Sequence, residues 1–226
     1  MSLGPPPVPP PAQPAPGSRY TWYVGILAVI VLAYIMLNSL RTEDNDVPQA
    51  SAKLAAFAAP AVLSDLDGDA NLATRENISD EAGKVPACEL RGPDIVNSCE
   101  LSEDAPLVLG FYFSRGAECE GSFDRLEQLE AANPGVSFAG VIVRGDRDDA
   151  RELVRKEGWT FPIAYDRDGA IANVYGVSGC PQVVLAYPGG TVRETVIGRD
   201  RAERQLEERV AALVAGSRKR GWRPDS

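Results

Sequence analysis

The longest apolar stretch of the chain runs from 20 to 40 and contains no charged side chain. That length matches the ~20 residues a helix needs to cross a hydrocarbon core. Tyr20, Trp22 and Tyr23 cluster at one end, where amphipathic rings favour the headgroup layer. A buried core helix of this length would carry a polar face, and this stretch has none. The pattern predicts an uncleaved membrane-spanning helix. A cleaved signal peptide is the competing reading, but the leader 1–19 is long for an n-region and no small-x-small site follows the apolar run closely. Arg19 and Arg41 flank the stretch, so the bias in basic residues is weak. A short tail inside and a large domain outside is the easier topology for a single-pass protein of the cell membrane.

Beyond a polar, acidic spacer at 41–50, the pattern changes to that of a folded domain over 51–217 with a short tail at 218–226. Residues 106–113 form a continuous apolar run of strand length, as in a central strand covered on both faces. Helical spacing follows over 118–132, with Phe123, Leu126 and Leu129 on one face and Asn133-Pro134-Gly135 as the stop. Residues 136–143 read as a second buried strand. A charged helix over 146–157 has Leu153 and Val154 as its short apolar face, and a short strand at 161–165 and a short helix at 169–175 come next. Residues 182–187 and 191–197 read as a hairpin around Pro188-Gly189-Gly190. An amphipathic helix over 200–215 closes the domain, with Leu206, Val210, Leu213 and Val214 facing inward. The order β-α-β-α-β-α-β-β-α implies an α/β fold: a mainly parallel sheet with helices on both faces and an antiparallel edge.

Composition narrows the chemistry. The chain of 226 residues carries a formal net charge of -9, which argues against nucleic acid as a partner, since phosphate binding needs clustered Lys and Arg. It contains no histidine. Ser/His/Asp and Cys/His catalysis and imidazole-ligated metal sites are therefore excluded, and no cofactor is expected. The segment 1–16 is half proline, which favours an extended, disordered tail, with an SH3-type ligand as the alternative. Four cysteines remain: Cys88, Cys99, Cys119 and Cys180. No close C-x-x-C pair exists among them, and four cysteines allow three full pairings.

Several motifs resemble the thioredoxin-like redoxins, in particular the membrane-tethered disulfide reductases of the TlpA and ResA type. The stretch from Ala59-Pro60 to Asp67-Gly68 is similar to that family's opening hairpin. Val108 to Ser114 is similar to the strand before its active-site helix, and Trp159-Thr160-Phe161-Pro162 and Asp166-Arg167-Asp168-Gly169 to its middle. Tyr175-Gly176-Val177-Ser178-Gly179-Cys180-Pro181 resembles the loop whose proline is cis. The resemblance covers 51–217 and implies a thioredoxin-like fold with an insertion at about 75–105. One departure matters. Where the family has C-x-x-C, this chain reads Gly116-Ala117-Glu118-Cys119. Only the second cysteine is kept, while Cys180 stands immediately before Pro181. In the family's fold that loop packs against the helix N-terminus. The resemblance thus implies that Cys119 and Cys180 lie within reach of a disulfide, which needs Cα atoms closer than ~7 Å.

A thiol at a helix N-terminus gains from the dipole. Glu118 and Glu120 oppose that gain, and Arg115 partly offsets them. A Cys119–Cys180 pair could exchange disulfides with exported proteins, with Pro181 offering a backbone edge to an extended substrate; a permanent staple is the alternative. Gly92-Pro93-Asp94 is a turn signal, and a hairpin centred there would set Cys88 opposite Cys99 as a structural disulfide, with a redox relay as the other reading. Two disulfides require an oxidising compartment. The expected function is a membrane-anchored, extracytoplasmic thiol–disulfide oxidoreductase, held in lipid by 20–40 and acting on the thiols and disulfides of exported proteins. The alternatives are an AhpC/TSA-type antioxidant with Cys119 as peroxidatic residue, and a redox-inactive binding module. The run from Asp65 to Glu76 has EF-hand carboxylate spacing but Ala70 where the sharp turn needs glycine, so an acidic turn is preferred. Asn77-Ile78-Ser79 is a glycosylation triplet of low specificity.

Overall fold

Two features of the sequence set the architecture: an all-apolar helix near the start and strands apolar on both faces further on. The structure, a computed structural model, describes residues 19–39, 48–74, 85–113 and 119–224, with the side chains of 19–21, 35–39, 120 and 199–204 left aside. The proline-rich tail, most of the 41–50 spacer, the Asn77 triplet, and Arg115, Gly116 and Glu118 lie outside the described residues. The chain divides into two units, Met1–Asp44 and Asn45–Ser226.

The first unit contains α1 (Arg19–Ser39). Trp22, Leu27, Val31 and Tyr34 are all exposed, so the helix is apolar all round. Among the described residues no helix is long and apolar enough to cross a membrane. The described side chains of α1 run only from 22 to 34, short of the ~20 residues a span requires.

The second unit is built on a sheet of five strands. Along the chain come β1 (Ala58–Pro60), a 3-10 turn (Ala87–Glu89), β2 (Ile95–Asn97), α2 (Ser98–Glu103) and β3 (Leu107–Phe113). Then follow α3 (Glu120–Ala132), β4 (Ser137–Val143), α4 (Arg147–Glu157), β5 (Ile163–Asp166), α5 (Ala170–Val174), β6 (Gln182–Tyr187), β7 (Thr191–Ile197) and α6 (Arg199–Lys219). The main sheet has the order β5-β4-β3-β6-β7. Its β3–β4 and β4–β5 pairs are parallel, and β3–β6 and β6–β7 antiparallel. The central strands are buried on both sides, as their unbroken apolar runs require. Val108 and Tyr112 face α3, α4 and α6 through Phe123, Leu126, Val154 and Leu206. Leu107, Leu109 and Phe111 face α5 and the β1–β2 pair through Ile171, Phe57 and Val96.

Two neighbouring glycines seat α3. Gly110 and Gly140 are partners across β3 and β4. A Cβ at Gly110 would fall 2.5 Å from Leu126 Cδ1, and one at Gly140 2.6 Å from Phe123 Cε1. Their missing side chains therefore let α3 lie directly on the sheet, which fixes where its N-terminus ends up.

Three expectations are corrected. No hairpin forms around Gly92, although Ile95 N–H does close a turn on the Gly92 carbonyl at 3.1 Å. The residues before that turn form the 3-10 turn, and β2 pairs instead with β1, Ala59 opposite Val96. The packed unit also extends past 51–217. Thr195 Oγ1 donates to the Pro48 carbonyl at 2.7 Å, so the end of the expected spacer lies on β7, and Trp222 packs against the core. Finally, α3 begins at Glu120 rather than 118, because Cys119 occupies its N-cap position.

Candidate functional site

The site forms where the C-terminal end of β3, the start of α3 and the loop before β6 converge. Cys119 stands at the N-cap of α3, and its carbonyl accepts from Ser122 N–H at 3.1 Å and Phe123 N–H at 3.4 Å. The side chain is only 2 % exposed and belongs to the apolar cluster of Val62, Tyr112 and Phe123.

Cys180 ends the loop that follows α5. Four contacts hold that loop. Val177 N–H donates to the Ala172 carbonyl at 2.8 Å, and Gly176 N–H to that of Asn173 at 3.1 Å. Gly198 N–H donates to the Pro181 carbonyl at 3.0 Å. Gln182, fully buried, donates Nε2–H to the Tyr175 carbonyl at 3.1 Å. The Cys180–Pro181 peptide is cis. Tyr175 anchors the start of the loop; its hydroxyl donates to the Ala55 carbonyl at 2.8 Å and its ring packs 5.3 Å from that of Phe111. Full burial raises its phenol well above the ordinary range.

Cys119 and Cys180 are joined by a disulfide, with Cα atoms 5.6 Å apart across 61 residues of sequence. Cys180 is partly exposed, and its sulfur lies 3.6 Å from the Phe111 carbonyl oxygen. Pro181 is buried beside it. A cleft of about 390 Å³ opens along the same loop, bounded by Phe113, Arg144, Gly176 and Ser178. Arg144 follows β4 in the left-handed region, φ 59°, and its Nε–H donates to the Asp168 carbonyl at 3.3 Å.

Cys88 and Cys99 form the second disulfide, with Cα atoms 5.3 Å apart. Asn97 brings them together. Its amide donates to the carbonyls of Ala87 at 2.8 Å and Leu90 at 2.7 Å, while Oδ1 accepts from Cys99 N–H at 2.8 Å and caps α2. Cys88 is exposed. Cys99 lines a second cleft with Lys53, Arg91 and Gly189, the last at the turn that ends β6. The two disulfides therefore lie at opposite ends of β6, a strand spanning about 20 Å.

Among the described residues no group of three or more acidic, Cys or His side chains could hold a metal ion; Glu76, the twelfth position of the acidic run, lies outside them. Arg167 pairs with Asp69 at 2.6 Å. Arg147 and Arg151 donate to the carbonyls of Leu66, Ala61 and Ser64 and pull the turn onto α4. Sequence reasoning did not single out Asn97, Gln182 or Gly198. Asn97 carries a local signal as the N-cap of α2, whereas Gln182 and Gly198 act through Tyr175 and Pro181, which no local pattern pairs with them.

No family model matches the chain. It is 33% identical over 113 residues to the soluble secreted antigen MPT53 of Mycobacterium tuberculosis, covering 49% of this chain and 64% of that protein. It is 23% identical over 111 residues to the thiol-disulfide oxidoreductase ResA of Oceanobacillus iheyensis, covering 47% of this chain and 58% of that one. The chain thus spans less than two thirds of the length of these relatives. A crystal structure assigned as a thiol:disulfide interchange protein DsbE from Chlorobium tepidum superposes with a TM-score of 0.53 at 19% identity, covering 75% of this chain and 98% of that one. Strand order, the cis-proline loop and these likenesses agree: the chain belongs to the thioredoxin-like redoxin family.

Proposed function

We propose that this protein is a thiol–disulfide oxidoreductase of the DsbE and ResA type, with Cys119 and Cys180 as its exchanging pair. The observation that carries the reading is the bond between these two sulfurs, one at the start of a long helix and one beside a cis-proline. Exchange requires a thiolate to attack a disulfide sulfur and a second thiolate to leave. A sulfur at the N-cap of α3 is well placed for either role, because the positive end of the helix stabilises negative charge.

The substrates are thiols and disulfides of exported proteins. A segment of such a protein lies extended against the loop before Pro181 and pairs with its backbone, a mode that accepts many sequences. The apolar stretch 20–40 anchors the protein in the cell membrane as a single pass, and the domain from 51 onward works outside the cytoplasm. The apolar exposed surface of α1 over 22–34 supports the anchor, and the name of the secreted mycobacterial relative supports placement of the domain outside the cytoplasm. Cys88 and Cys99 serve as a structural clasp. The peroxide-reducing alternative needs Cys119 as an accessible thiol, whereas Cys119 is bonded and buried.

The test is mass spectrometry of the full chain in detergent, equilibrated with graded ratios of reduced to oxidised dithiothreitol. Reversible opening of Cys119–Cys180 in the folded protein is the expected result. A bond that opens only when the protein unfolds would make the domain a redox-silent scaffold.

A further inference from the structure

We propose that Cys180 is the sulfur that meets the substrate and that Cys119 is the resolving sulfur behind it; this assignment rests on the exchange function proposed above. The two halves of the disulfide are not equivalent. Cys119 is 2 % exposed, within the cluster that includes Tyr112 and Phe123. Cys180 is partly exposed, at the end of a loop. An attacking thiolate must reach the sulfur it bonds to, and access decides which sulfur that is. At 2 % exposure Cys119 offers almost no surface to an incoming thiolate, whereas the partly exposed Cys180 can be reached.

The surroundings of the two sulfurs favour the same polarity. When a substrate thiolate attacks Cys180, the S–S bond breaks and its electron pair leaves on Cys119. That charge forms at the N-cap of α3, a helix of 13 residues, where the dipole stabilises it. Attack on Cys119 would instead leave the charge on Cys180, whose sulfur is 3.6 Å from the Phe111 carbonyl oxygen. That oxygen can accept from a thiol but repels a thiolate.

The sequence balances without any further reactant. A substrate thiolate bonds to Cys180, and Cys119 departs as thiolate and takes up a proton from solvent. The second substrate thiol then loses its proton and attacks the substrate sulfur of the mixed disulfide. Cys180 is released as thiolate, takes a proton and can donate it to the Phe111 carbonyl. Two electrons have passed from a substrate dithiol to the pair. In the reverse direction Cys180 attacks a substrate disulfide and Cys119 resolves the adduct.

The experiment uses the oxidised full chain in detergent. It is treated briefly with 2-mercaptoethanol, quenched with iodoacetamide, and mapped by mass spectrometry under non-reducing conditions. The expected product carries the mercaptoethanol mixed disulfide on Cys180 and the alkyl group on Cys119, in roughly tenfold or greater excess over the opposite arrangement. Adducts on Cys119, or equal adducts on both, would overturn the polarity and leave the exchange function standing. If the pair does not open while the protein stays folded, both proposals fail together. Single variants give a second readout that needs no adduct trapping. The lone Cys180 of Cys119→Ser should react with 5,5′-dithiobis(2-nitrobenzoate) roughly tenfold or more faster than the lone Cys119 of Cys180→Ser. Equal rates would count against the assignment.

Discussion

The two disulfides of this protein have nearly the same Cα separation, 5.6 Å for Cys119–Cys180 and 5.3 Å for Cys88–Cys99, yet their surroundings are opposite. One pair joins a buried sulfur at a helix start to a partly exposed sulfur on a loop. The other closes an exposed corner, where Asn97 already holds both segments through its own hydrogen bonds. Proximity of sulfurs is common to both. Cys99 also stands in the first turn of a helix, the six-residue α2. Only the first pair, however, joins a buried sulfur at the start of a longer helix to a sulfur at the end of a tethered loop, and access and charge are the properties exchange chemistry uses.

The sharpest way to break this comparison is to remove each bond in turn. Cys180→Ser or Cys119→Ser should abolish reversible exchange with a dithiol substrate, while Cys88→Ser with Cys99→Ser should leave the exchange rate within about twofold of the parent. Stability should respond in both cases. Loop-closure entropy predicts a loss of about 4 kcal/mol for the bond spanning 61 residues and about 3 kcal/mol for the one spanning 11. Urea denaturation of the oxidised variants reads both. Loss of exchange in the Cys88/Cys99 double variant would merge the two pairs into one functional system and contradict their separation along β6.

Asn97→Ala tests the clasp from the other side. The side chain is 1 % exposed, and its removal leaves two carbonyls and a helix N-cap without their partner. The expected cost is about 3 kcal/mol, with faster reduction of Cys88–Cys99 and no change at Cys119–Cys180. Gly140→Ala does the reverse. Its added methyl would sit 2.6 Å from the Phe123 ring and push α3 off the sheet, at a cost of about 2 kcal/mol. Exchange at Cys119–Cys180 should slow, and reduction of Cys88–Cys99 should not. Equal effects on both pairs would show that the glycine pair supports the domain in general and has no particular role in placing Cys119.

The contrast between the pairs also marks how far the sequence could be read. Both central strands were legible at 106–113 and 136–143, because burial on two faces forces an unbroken apolar run. Phe123, Leu126 and Leu129 announced α3 by spacing alone, and all three are buried. The corner around Cys88 was misread. Gly92-Pro93-Asp94 does turn the chain, but the flanking residues are too few and too polar to pair with each other, and β2 found its partner in β1 instead. The seating of α3 was hidden for a different reason: Gly110 and Gly140 are meaningful only once the β3–β4 register sets them side by side. Which of the two sulfurs of the main pair is exposed depends on packing around both, and no spacing along the chain encodes that.

The smallest expected effect concerns the support beneath the Cys180 loop. Asp166 is fully buried, and its carboxylate accepts from Ile171 N–H at 3.1 Å and Ala172 N–H at 2.9 Å. Ala172 in turn accepts from Val177 of the loop, so this carboxylate props the strut that carries Cys180 and has no connection with the Cys88 corner. Burial raises its titration above the ordinary 3.8, although the backbone N–H groups of Ala172, Ile171 and Ala170 pull the other way. A raised carboxyl binds its proton more tightly when folded than when unfolded. Its contribution to stability is therefore fully present below about 3.8 and declines as pH rises through the folded value. Asp166→Asn lacks this titration. Wild type should gain stability relative to that variant as pH falls from neutral toward 3.8, with the gap at neutral pH no larger than about 1 kcal/mol. Paired urea titrations across that range would show it. A gap that narrows on acidification would mean that the backbone donors outweigh burial. The loop beneath Cys180 would then be held by a charge that the folded state favours.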